Sequence, residues 1–257
     1  MESATSVSLE RGSQVKKKVR PISAARRLRR MHDQLLEAYG PQHWWPAKSD
    51  FEVVLGAYLT QNTAWKAVEL SLANLQKAGA LSVEGLRALP LARLQELIRP
   101  SGFYTRKAPA LKAFVAMLDA EFGGSLQALA ETPTAALRTR LLQLPGVGPE
   151  TADAILLYAL KHPVPVADEY LRRIANRHWL IDPVPGKSHE GYVTLVELTR
   201  RAFSRDAQSD HAKLLNEFHA LIVAVGKAHC RRSPLCTGCP LHNDLLSIQA
   251  AAEPKET

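Results

Sequence analysis

The chain has 257 residues, of which 46% are hydrophobic, so it can bury one large core or two smaller ones. Basic residues outnumber acidic ones and give a net charge of +8, as expected of a protein that binds a polyanion, although plain soluble proteins also reach such values. No apolar run approaches the roughly 20 residues that span a bilayer, and the N-terminus lacks the apolar stretch of a signal peptide. We therefore predict a cytoplasmic protein without a membrane partner.

Helical periodicity begins after a polar N-terminus. Residues 1–24 are rich in serine and basic side chains and contain few large apolar residues, which predicts a disordered basic tail. From Ala25 onward, apolar residues recur at helical spacing and few segments have a strand pattern, which predicts an all-α protein of about ten or eleven helices. The predicted helical segments are 28–39, 51–75, 83–89, 91–98, 107–122, 126–130, 133–142, 151–160, 170–178, 192–203 and 212–225.

The segment Leu-Pro-Gly-Val-Gly-Pro-Glu-Thr-Ala at 144–152 separates two apolar helical segments and predicts a helix-hairpin-helix. Gly146 and Gly148 carry no Cβ and can adopt positive φ, so successive backbone N–H groups can converge on an anion. Pro149 suits the first position of the next helix, whose dipole would strengthen the attraction. Such a cradle binds a phosphate and reads no base. The alternative is a plain helix-helix turn with a glycine C-cap.

A related segment at 102–108 has the same length and the same Gly-to-Ala spacing, but it lacks the second glycine. We therefore predict that it is structural, with Phe103 and Tyr104 packed. The alternative is that Arg106 or Lys107 contacts phosphate.

Asp168 follows Ala152 of the glycine motif by sixteen residues. This combination resembles the helix-hairpin-helix DNA glycosylases of the endonuclease III superfamily, in which an essential aspartate follows the same motif. The resemblance covers roughly residues 27–241, most of the chain. Within that superfamily the chain is most similar to the 3-methyladenine glycosylases of the endonuclease III type, judged by the segments 44–46 (Trp-Trp-Pro), 59–63 (Leu-Thr-Gln-Asn-Thr), 99–104 (Arg-Pro-Ser-Gly-Phe-Tyr) and 150–156 (Glu-Thr-Ala-Asp-Ala-Ile-Leu).

The resemblance implies an all-α, two-domain helix-hairpin-helix DNA glycosylase fold with a DNA-binding cleft between the domains. Residues 47–160 would form a helical domain that ends in the hairpin, and 25–46 with 161–243 a second helical domain carrying a Cys-rich loop. Residues 244–257 are predicted to be a flexible tail. The expected partner is double-stranded DNA containing damaged bases, bound by a monomer that is associated with the nucleoid through DNA.

Asp168 is the candidate catalytic residue. Cleavage of an N-glycosidic bond builds positive charge on the sugar, so a carboxylate near C1′ of a flipped-out nucleotide stabilises the transition state and can orient or deprotonate the attacking water. The alternative is that Asp168 caps the helix that begins near Glu169, and one residue can do both.

Glu150 determines the predicted type of reaction. In bifunctional relatives a lysine at this place attacks C1′ and forms the imine that permits strand cleavage. A carboxylate cannot form an imine, and the chain has no lysine between 112 and 161, so we predict a monofunctional DNA N-glycosylase of base excision repair that acts on alkylated purines such as 3-methyladenine. The alternatives are an endonuclease III-like glycosylase and AP lyase for oxidised pyrimidines, and a noncatalytic DNA-binding module. Glu150 is either a solvated first-turn residue or part of the base pocket.

Aromatic residues make up only 6% of the chain, so their clusters are informative. The resemblance places Trp65 and one of Trp44 and Trp45 beside the flipped base, where indole rings would favour a positively charged alkylated purine. The alternative is that these tryptophans are core anchors. Gln61 is predicted to fill the space that the flipped base leaves in the duplex. The remaining predicted DNA contacts are Gly146, Gly148, Thr151 and Lys227.

The three cysteines, Cys230, Cys236 and Cys239, lie close together near the C-terminus. Cluster-bearing members of the superfamily hold a [4Fe-4S] cluster through four cysteines in the order C-x6-C-x2-C-x5-C. This chain has a spacing of five residues before the second cysteine, and Leu245 stands where the fourth would fall. His242 could complete a Cys3His set suited to zinc or to an iron cluster. An iron-sulfur cluster, zinc and a metal-free loop therefore all stay open.

Overall fold

The computed structural model describes residues 23–186, 188–206 and 210–252, with side chains described as far as Ser247. The predicted basic tail lies outside the described residues up to position 22. None of the described helices combines the length and the apolar character that crossing a bilayer requires.

The described residues form thirteen α-helices and no β-strand, which confirms the predicted all-α class. A 3-10 turn, Arg99–Ser101, follows the fifth helix, and a π-helix, Ile155–Ala159, continues the ninth. Serine side chains cap several helices by accepting a backbone N–H of the first turn, which is why polar residues mark the boundaries. The helices are α1 (Ala24–Tyr39), α2 (Asp50–Leu59), α3 (Trp65–Lys77), α4 (Val83–Ala88), α5 (Leu91–Leu97), α6 (Tyr104–Phe122), α7 (Leu126–Ala130), α8 (Thr134–Leu142), α9 (Pro149–Ala154), α10 (Glu169–Arg177), α11 (His189–Ala202), α12 (His211–Ala228) and α13 (His242–Ala252).

The structure departs from the predicted segments in two places, which involve α2, α3 and α13. The single segment predicted over 51–75 divides into α2 and α3, because the chain turns between them and Asn62 takes a left-handed φ of 52°. The flexible tail predicted from 244 was wrong as far as 252, where α13 ends. Asp244 in its first turn is buried and accepts hydrogen bonds from Arg27 of α1 and from His178, contacts between distant parts of the chain that no local pattern reveals.

The hydrophobic core surrounds α2, whose residues from Phe51 to Leu59 are nearly all buried. Helix α2 packs against α3, α6 and the π-helix, whereas α1 packs against α11 and α12. The π-helix also contacts α12, and α10 contacts both α11 and α12. The segment that follows the hairpin therefore touches both groups of helices. The domain boundaries suggested by the sequence stay predictions.

Asp153 of α9 fixes the hairpin to its surroundings. Its buried carboxylate accepts two hydrogen bonds from the guanidinium of Arg138 on α8, at 2.6 and 3.0 Å. A third comes from the hydroxyl of Tyr192 on α11, at 2.7 Å. Buried charge is tolerated only when it is paired and hydrogen-bonded, so these contacts hold three helices in one arrangement.

Candidate active site

The turn between α8 and α9 forms the predicted hairpin, but its two glycines differ. Gly146 has a left-handed φ of 75°, a conformation that favours glycine. Gly148 is the N-cap of α9 with an ordinary extended backbone, φ −96° and ψ 178°. The expectation of positive φ therefore holds for Gly146 and is wrong for Gly148. A Cβ added at Gly148 would meet no protein atom within 4 Å, so this position faces open space.

Gln61, in the turn after α2, lies against this hairpin. Its amide nitrogen donates to the carbonyl oxygen of Gly146 at 2.9 Å and to the hydroxyl of Thr151 at 3.1 Å. Thr151 is only 8% exposed, so its side chain lies beneath the hairpin. The structure thus brings four of the predicted DNA-contacting residues together at the hairpin, with the Thr151 side chain beneath the other three, namely Gln61, Gly146 and Gly148.

Asp168 follows an extended segment that returns from the π-helix and is anchored by the buried side chains of Val166 and Ala167. One carboxylate oxygen accepts the backbone N–H of Leu171 at 2.8 Å, so Asp168 is the N-cap of α10, as the alternative interpretation had it. The other oxygen, Oδ2, lies 3.4 Å from Nε2 of His219. One oxygen is therefore committed to the helix, and the second faces a group on α12.

Glu150 stands in the first turn of α9, where solvent reaches it from the open side of the hairpin. The surrounding protein nevertheless disfavours its charged form, and the negative charge of Asp168 adds to this effect. Together they raise the pKa of Glu150 to about 7, against a smaller lowering by His219. Near neutral pH this carboxyl is therefore partly protonated, beside a second carboxyl.

His219 and Tyr158 were not singled out from the sequence. The hydroxyl of Tyr158, in the π-helix, is hydrogen-bonded to Nδ1 of His219 on α12, and both residues are buried. Burial, and next the charge of Asp168, raise the pKa of Tyr158 well above its ordinary value. These residues lie 61 positions apart, and neither belongs to a recognisable local motif, so only the fold reveals the contact.

The three predicted tryptophans form one cluster, here called the tryptophan cluster (Trp44, Trp45 and Trp65). Their ring centroids lie 5.4 Å (Trp44 and Trp45), 5.2 Å (Trp45 and Trp65) and 6.0 Å (Trp44 and Trp65) apart. The ring of Trp45 also lies 5.3 Å from that of Tyr158. The ammonium of Lys227 stands 5.7 Å from the centroid of the Trp44 ring.

A cavity of about 310 Å³ adjoins the tryptophan cluster. Trp44, Trp45 and Tyr158 line it, together with the ion-paired Asp50 and Lys161, whose charged atoms are 3.1 Å apart. Neither Asp168 nor Glu150 lines this cavity. The path from the tryptophans to Asp168 in this structure runs through Tyr158 and His219.

A second groove, of about 250 Å³, lies beside the hairpin and includes Gln61, Phe103, Arg106 and Gly146 in its lining. Phe103 is 59% exposed and has a left-handed φ of 47°, so the prediction that it is packed was wrong. The reason is that the chain turns at this residue, directly before α6, and points the ring outward. A large exposed aromatic residue beside Gln61 is a candidate contact that the sequence pattern missed.

Lys107 lies beneath this groove. Its ammonium donates three hydrogen bonds of 2.8 Å, to the carbonyl oxygens of Leu59 and Ser101 and to the hydroxyl of Thr63. Burial lowers its pKa to about 8. An ammonium has three protons, and all three are used here, so Lys107 holds the end of α2 in place and is not free for a phosphate.

The three cysteines form a loop, here called the cysteine loop (residues 230–239). Burial raises the pKa of Cys239, against a smaller lowering by a backbone hydrogen bond with Leu241. The charges of Cys230 and Cys236 add to the rise, which indicates that the three thiols are neighbours. Even so, within the described residues no set of three or more Cys, His, Asp or Glu side chains, His242 included, is placed to hold a metal ion. A [4Fe-4S] cluster is held by four protein ligands, and Leu245 at the fourth position supplies none. His242 is not placed with the cysteines to replace it, so these residues do not fit the cluster.

Two arginines of α10 hold the cysteine loop in place by hydrogen bonds. The guanidinium of Arg177 donates to the sulfur of Cys230 at 3.0 Å and to the carbonyl oxygens of Arg231 and Arg232 at 2.7 and 2.9 Å. Arg173 donates to the carbonyl oxygen of Cys230 at 2.9 Å. Backbone groups of the loop are therefore satisfied by hydrogen bonds from the protein itself.

An all-helical fold in which a glycine hairpin is followed by an aspartate at the next helix N-terminus defines a helix-hairpin-helix DNA glycosylase. The chain belongs to this family: residues 55–193 match the model of the HhH-GPD superfamily base excision DNA repair proteins. A predicted DNA repair glycosylase of Methanocaldococcus jannaschii is 39% identical over 214 residues, which cover 83% of this chain and 93% of that protein. Endonuclease III of Thermotoga maritima is 27% identical over 75% of this chain and 81% of its own length.

Solved structures of DNA glycosylases share this fold. The 3-methyladenine DNA glycosylase of H. pylori, bound to 1,N6-ethenoadenine, is 30% identical and superposes with a TM-score of 0.67 over 80% of this chain and 98% of that chain. A non-covalent complex of endonuclease III with DNA gives a TM-score of 0.66 at 21% identity over 88% of this chain and 98% of that chain. The predicted two-domain helix-hairpin-helix fold is thereby confirmed.

Proposed function

We propose that this protein is a monofunctional DNA N-glycosylase of base excision repair that removes alkylated purines such as 3-methyladenine from double-stranded DNA. The observation that carries the proposal is the pair of carboxyl groups, Glu150 on the hairpin and Asp168 at the start of α10. In bifunctional relatives a lysine stands where Glu150 stands here. We further propose that the protein acts as a monomer in the cytoplasm, associated with the nucleoid through DNA.

Asp168 would supply the anion for the reaction. Its Oδ1 is fixed by the backbone of α10, so the carboxylate is oriented before substrate binds, as electrostatic stabilisation of a transition state requires. In the proposed reaction, the C1′–N bond breaks, the base leaves with the bonding electrons, and a water molecule adds to C1′. The carboxylate stabilises the positive charge on the sugar and orients that water or takes its proton.

Two neighbouring lysines do not replace the missing amine. Lys107 donates all three of its protons to protein oxygens, and Lys161 is paired with Asp50. An imine needs an uncharged amine within reach of C1′, so water is the proposed nucleophile. Glu150, which is partly protonated near neutral pH, can donate a hydrogen bond to the base that leaves.

The tryptophan cluster is the proposed base pocket. An alkylated purine carries a positive charge, and an indole ring attracts a cation by roughly 0.5 to 2 kcal/mol over a neutral base. The H. pylori relative is a 3-methyladenine glycosylase, which supports the same class of substrate. In the free protein the ammonium of Lys227 faces the Trp44 ring, where a cationic base would compete with it. We propose that Lys227 leaves this ring when DNA binds and contacts the phosphate backbone.

The hairpin surface is the proposed grip on the duplex. The exposed backbone at Gly148 can approach a phosphate because no Cβ intervenes. Gln61 and the exposed ring of Phe103 share one groove beside it, and we propose that they fill the space left by the flipped nucleotide. Unstacking a base costs a few kcal/mol, which contacts of this kind offset.

A panel of duplexes, each carrying one damaged base, tests the proposal. The panel contains 1,N6-ethenoadenine, thymine glycol, 8-oxoguanine and a G·T mismatch, and methylated genomic DNA is added as a source of 3-methyladenine. Base release is measured by chromatography, and strand scission by denaturing gels with and without alkali. Asp168→Asn serves as the matched control against contaminating glycosylases.

We expect release of the alkylated purines, strand scission only after alkali, and no adduct with borohydride. Release of thymine glycol with borohydride trapping would replace the proposal with the endonuclease III-like activity, which the relatives of that name make the second candidate. Binding of DNA without release of any base would favour the noncatalytic module.

A further inference from the structure

The site formed by the carboxyl groups of Glu150 and Asp168 includes a third group, the imidazole of His219. Nε2 of His219 lies 3.4 Å from Oδ2 of Asp168, is buried, and has no hydrogen-bond partner among the described residues. A buried polar atom without a partner is costly, so one is expected here. The nearest charged atom that could accept from it is Oδ2.

The other ring nitrogen of His219 defines which tautomer is present. Nδ1 is hydrogen-bonded to the hydroxyl of Tyr158. Because the pKa of this phenol is raised well above its ordinary value, the hydroxyl keeps its proton and can donate it. A neutral imidazole that accepts at Nδ1 carries its proton on Nε2, which is the atom that faces Asp168.

We propose that Tyr158 and His219 are positioning residues, in which the Tyr158 hydroxyl fixes the Nε2–H tautomer of His219 and this N–H holds Oδ2 of Asp168 in its reactive orientation. The inference rests on the proposed function of Asp168. Its two oxygens would then each have one fixed donor, Leu171 N–H and His219 Nε2–H. A carboxylate offers about four lone-pair sites, so acceptor capacity remains for water and for the charge on the sugar.

The separation of 3.4 Å suits this role in the free protein. Hydrogen bonds in active sites are often long before substrate binds and shorten in the reacting complex. The charged and titratable groups that act on this site are Asp168, Glu150 and Glu169, with Tyr158 on the other side of the imidazole. The ring of Trp45 lies beside that of Tyr158, so the chain of contacts from Tyr158 through His219 joins the proposed base pocket to the Asp168 carboxylate.

The first experiment exploits the geometry of amide side chains. The amide nitrogen of glutamine can take the place of the histidine Nε2, whereas the shorter asparagine places its amide near Nδ1. We therefore compare His219→Gln, His219→Asn and His219→Leu in single-turnover excision of 1,N6-ethenoadenine or of the best substrate of the panel. Binding to a duplex with a tetrahydrofuran abasic analogue and thermal unfolding are measured for the same variants.

We expect His219→Leu and His219→Asn to lower the excision rate by about 100-fold, the loss typical of misplacing a catalytic group by an ångström, with unchanged binding of the abasic analogue. His219→Gln should recover most of the rate. Equal rates for the Gln and Asn variants in folded protein, or full activity of His219→Leu, would overturn the proposal.

The second experiment does not depend on activity. Histidine labelled with ¹⁵N reports the tautomer of His219 directly by NMR in the full chain, with Tyr158→Phe as the variant that removes only the hydroxyl. We expect the Nε2–H tautomer in the unmodified protein and a mixture in Tyr158→Phe. An Nδ1–H tautomer in the unmodified protein would refute the positioning role of Tyr158 and His219 even if Asp168 is catalytic. The expected tautomer in a protein that releases no base would instead refute the proposed function alone.

Discussion

Replacing Asp168 by asparagine separates its two roles. Asparagine is as good an N-cap as aspartate, so the bond to the backbone of Leu171 and the stability of α10 should be retained. The negative charge is lost, and removal of one preorganised electrostatic contact costs about 3 kcal/mol, or about 100- to 1,000-fold in rate. We therefore expect the cap of α10 and the binding of damaged duplex to be retained, and excision to fall by this amount.

Asp168→Ala is the comparison variant. It removes the charge and the cap together, so excision should fall as far as in Asp168→Asn, and the free energy of unfolding should decrease by about 1 kcal/mol. Single-turnover base release and thermal unfolding measure the two effects separately. An Asn variant that excises at a near-normal rate would refute the catalytic assignment and leave Asp168 as a helix cap only.

The remaining predictions concern the hairpin, the pH profile, acid stability and the cysteine loop. Gly146→Ala should destabilise the fold by about 1 to 2 kcal/mol because of its left-handed backbone. Gly148→Ala should leave thermal unfolding unchanged and weaken binding to damaged and undamaged duplex alike. A loss of binding confined to damaged duplex would contradict the proposed phosphate contact. Base release should decline as the pH rises through about 7, where Glu150 loses its proton, and Glu150→Gln should abolish this decline; an unaltered profile would exclude Glu150 from the reaction. Burial alone would raise the pKa of Asp244, but hydrogen bonds from His178 and Arg27 lower it from 3.8 to about 2. The charged carboxylate therefore stabilises the folded protein by about 2 kcal/mol above pH 3.8, and this contribution is lost as the pH falls through 2. Asp244→Asn should remove that contribution, so denaturant unfolding should show a variant less stable than the unmodified protein at pH 7 and nearly as stable at pH 2. An equal loss of unfolding free energy at both pH values would contradict this prediction. Elemental analysis of anaerobically purified protein should find neither iron nor zinc in stoichiometric amount in the cysteine loop, and one equivalent of either metal would show that the loop rearranges to bind it.

Sequence reasoning predicted the features that depend on local chemistry. The glycine hairpin, the helix that follows it and the cap at Asp168 each rest on residues within a few positions of one another, so spacing alone was enough. Trp65 and one of Trp44 and Trp45 were predicted to lie beside the flipped base, and the structure brings all three rings together, although two of them precede α2 and the third begins α3. There the resemblance, and not periodicity, supplied the link. Their role as a base pocket stays a prediction.

Features that depend on distant contacts were missed. His219 and Tyr158 each look like ordinary helix residues in the sequence, and only packing of α12 against the π-helix joins them. Helix α13 is fixed by Asp244, whose partners come from α1 and the end of α10. The exposure of Phe103 follows from a single backbone angle, which residue type does not determine.

In the π-helix after the hairpin, the N–H of Leu160 donates to the carbonyl oxygen of Ile155, five residues back, whereas an α-helical N–H donates to the fourth residue back. The hydrogen-bonded loop therefore holds one extra residue. Consecutive residues of an α-helix are rotated by about 100° around its axis. Deleting one residue between Ile155 and Tyr158 would place Leu160 four residues after Ile155 and turn this segment into an ordinary α-helix. Tyr158 would then take a different angle around the helix axis, away from His219, while the hairpin and α9 keep their place. The length of this one turn, in addition to the identity of the side chains, therefore directs Tyr158 toward His219 on α12, and the loss of a single codon would be enough to separate the two residues.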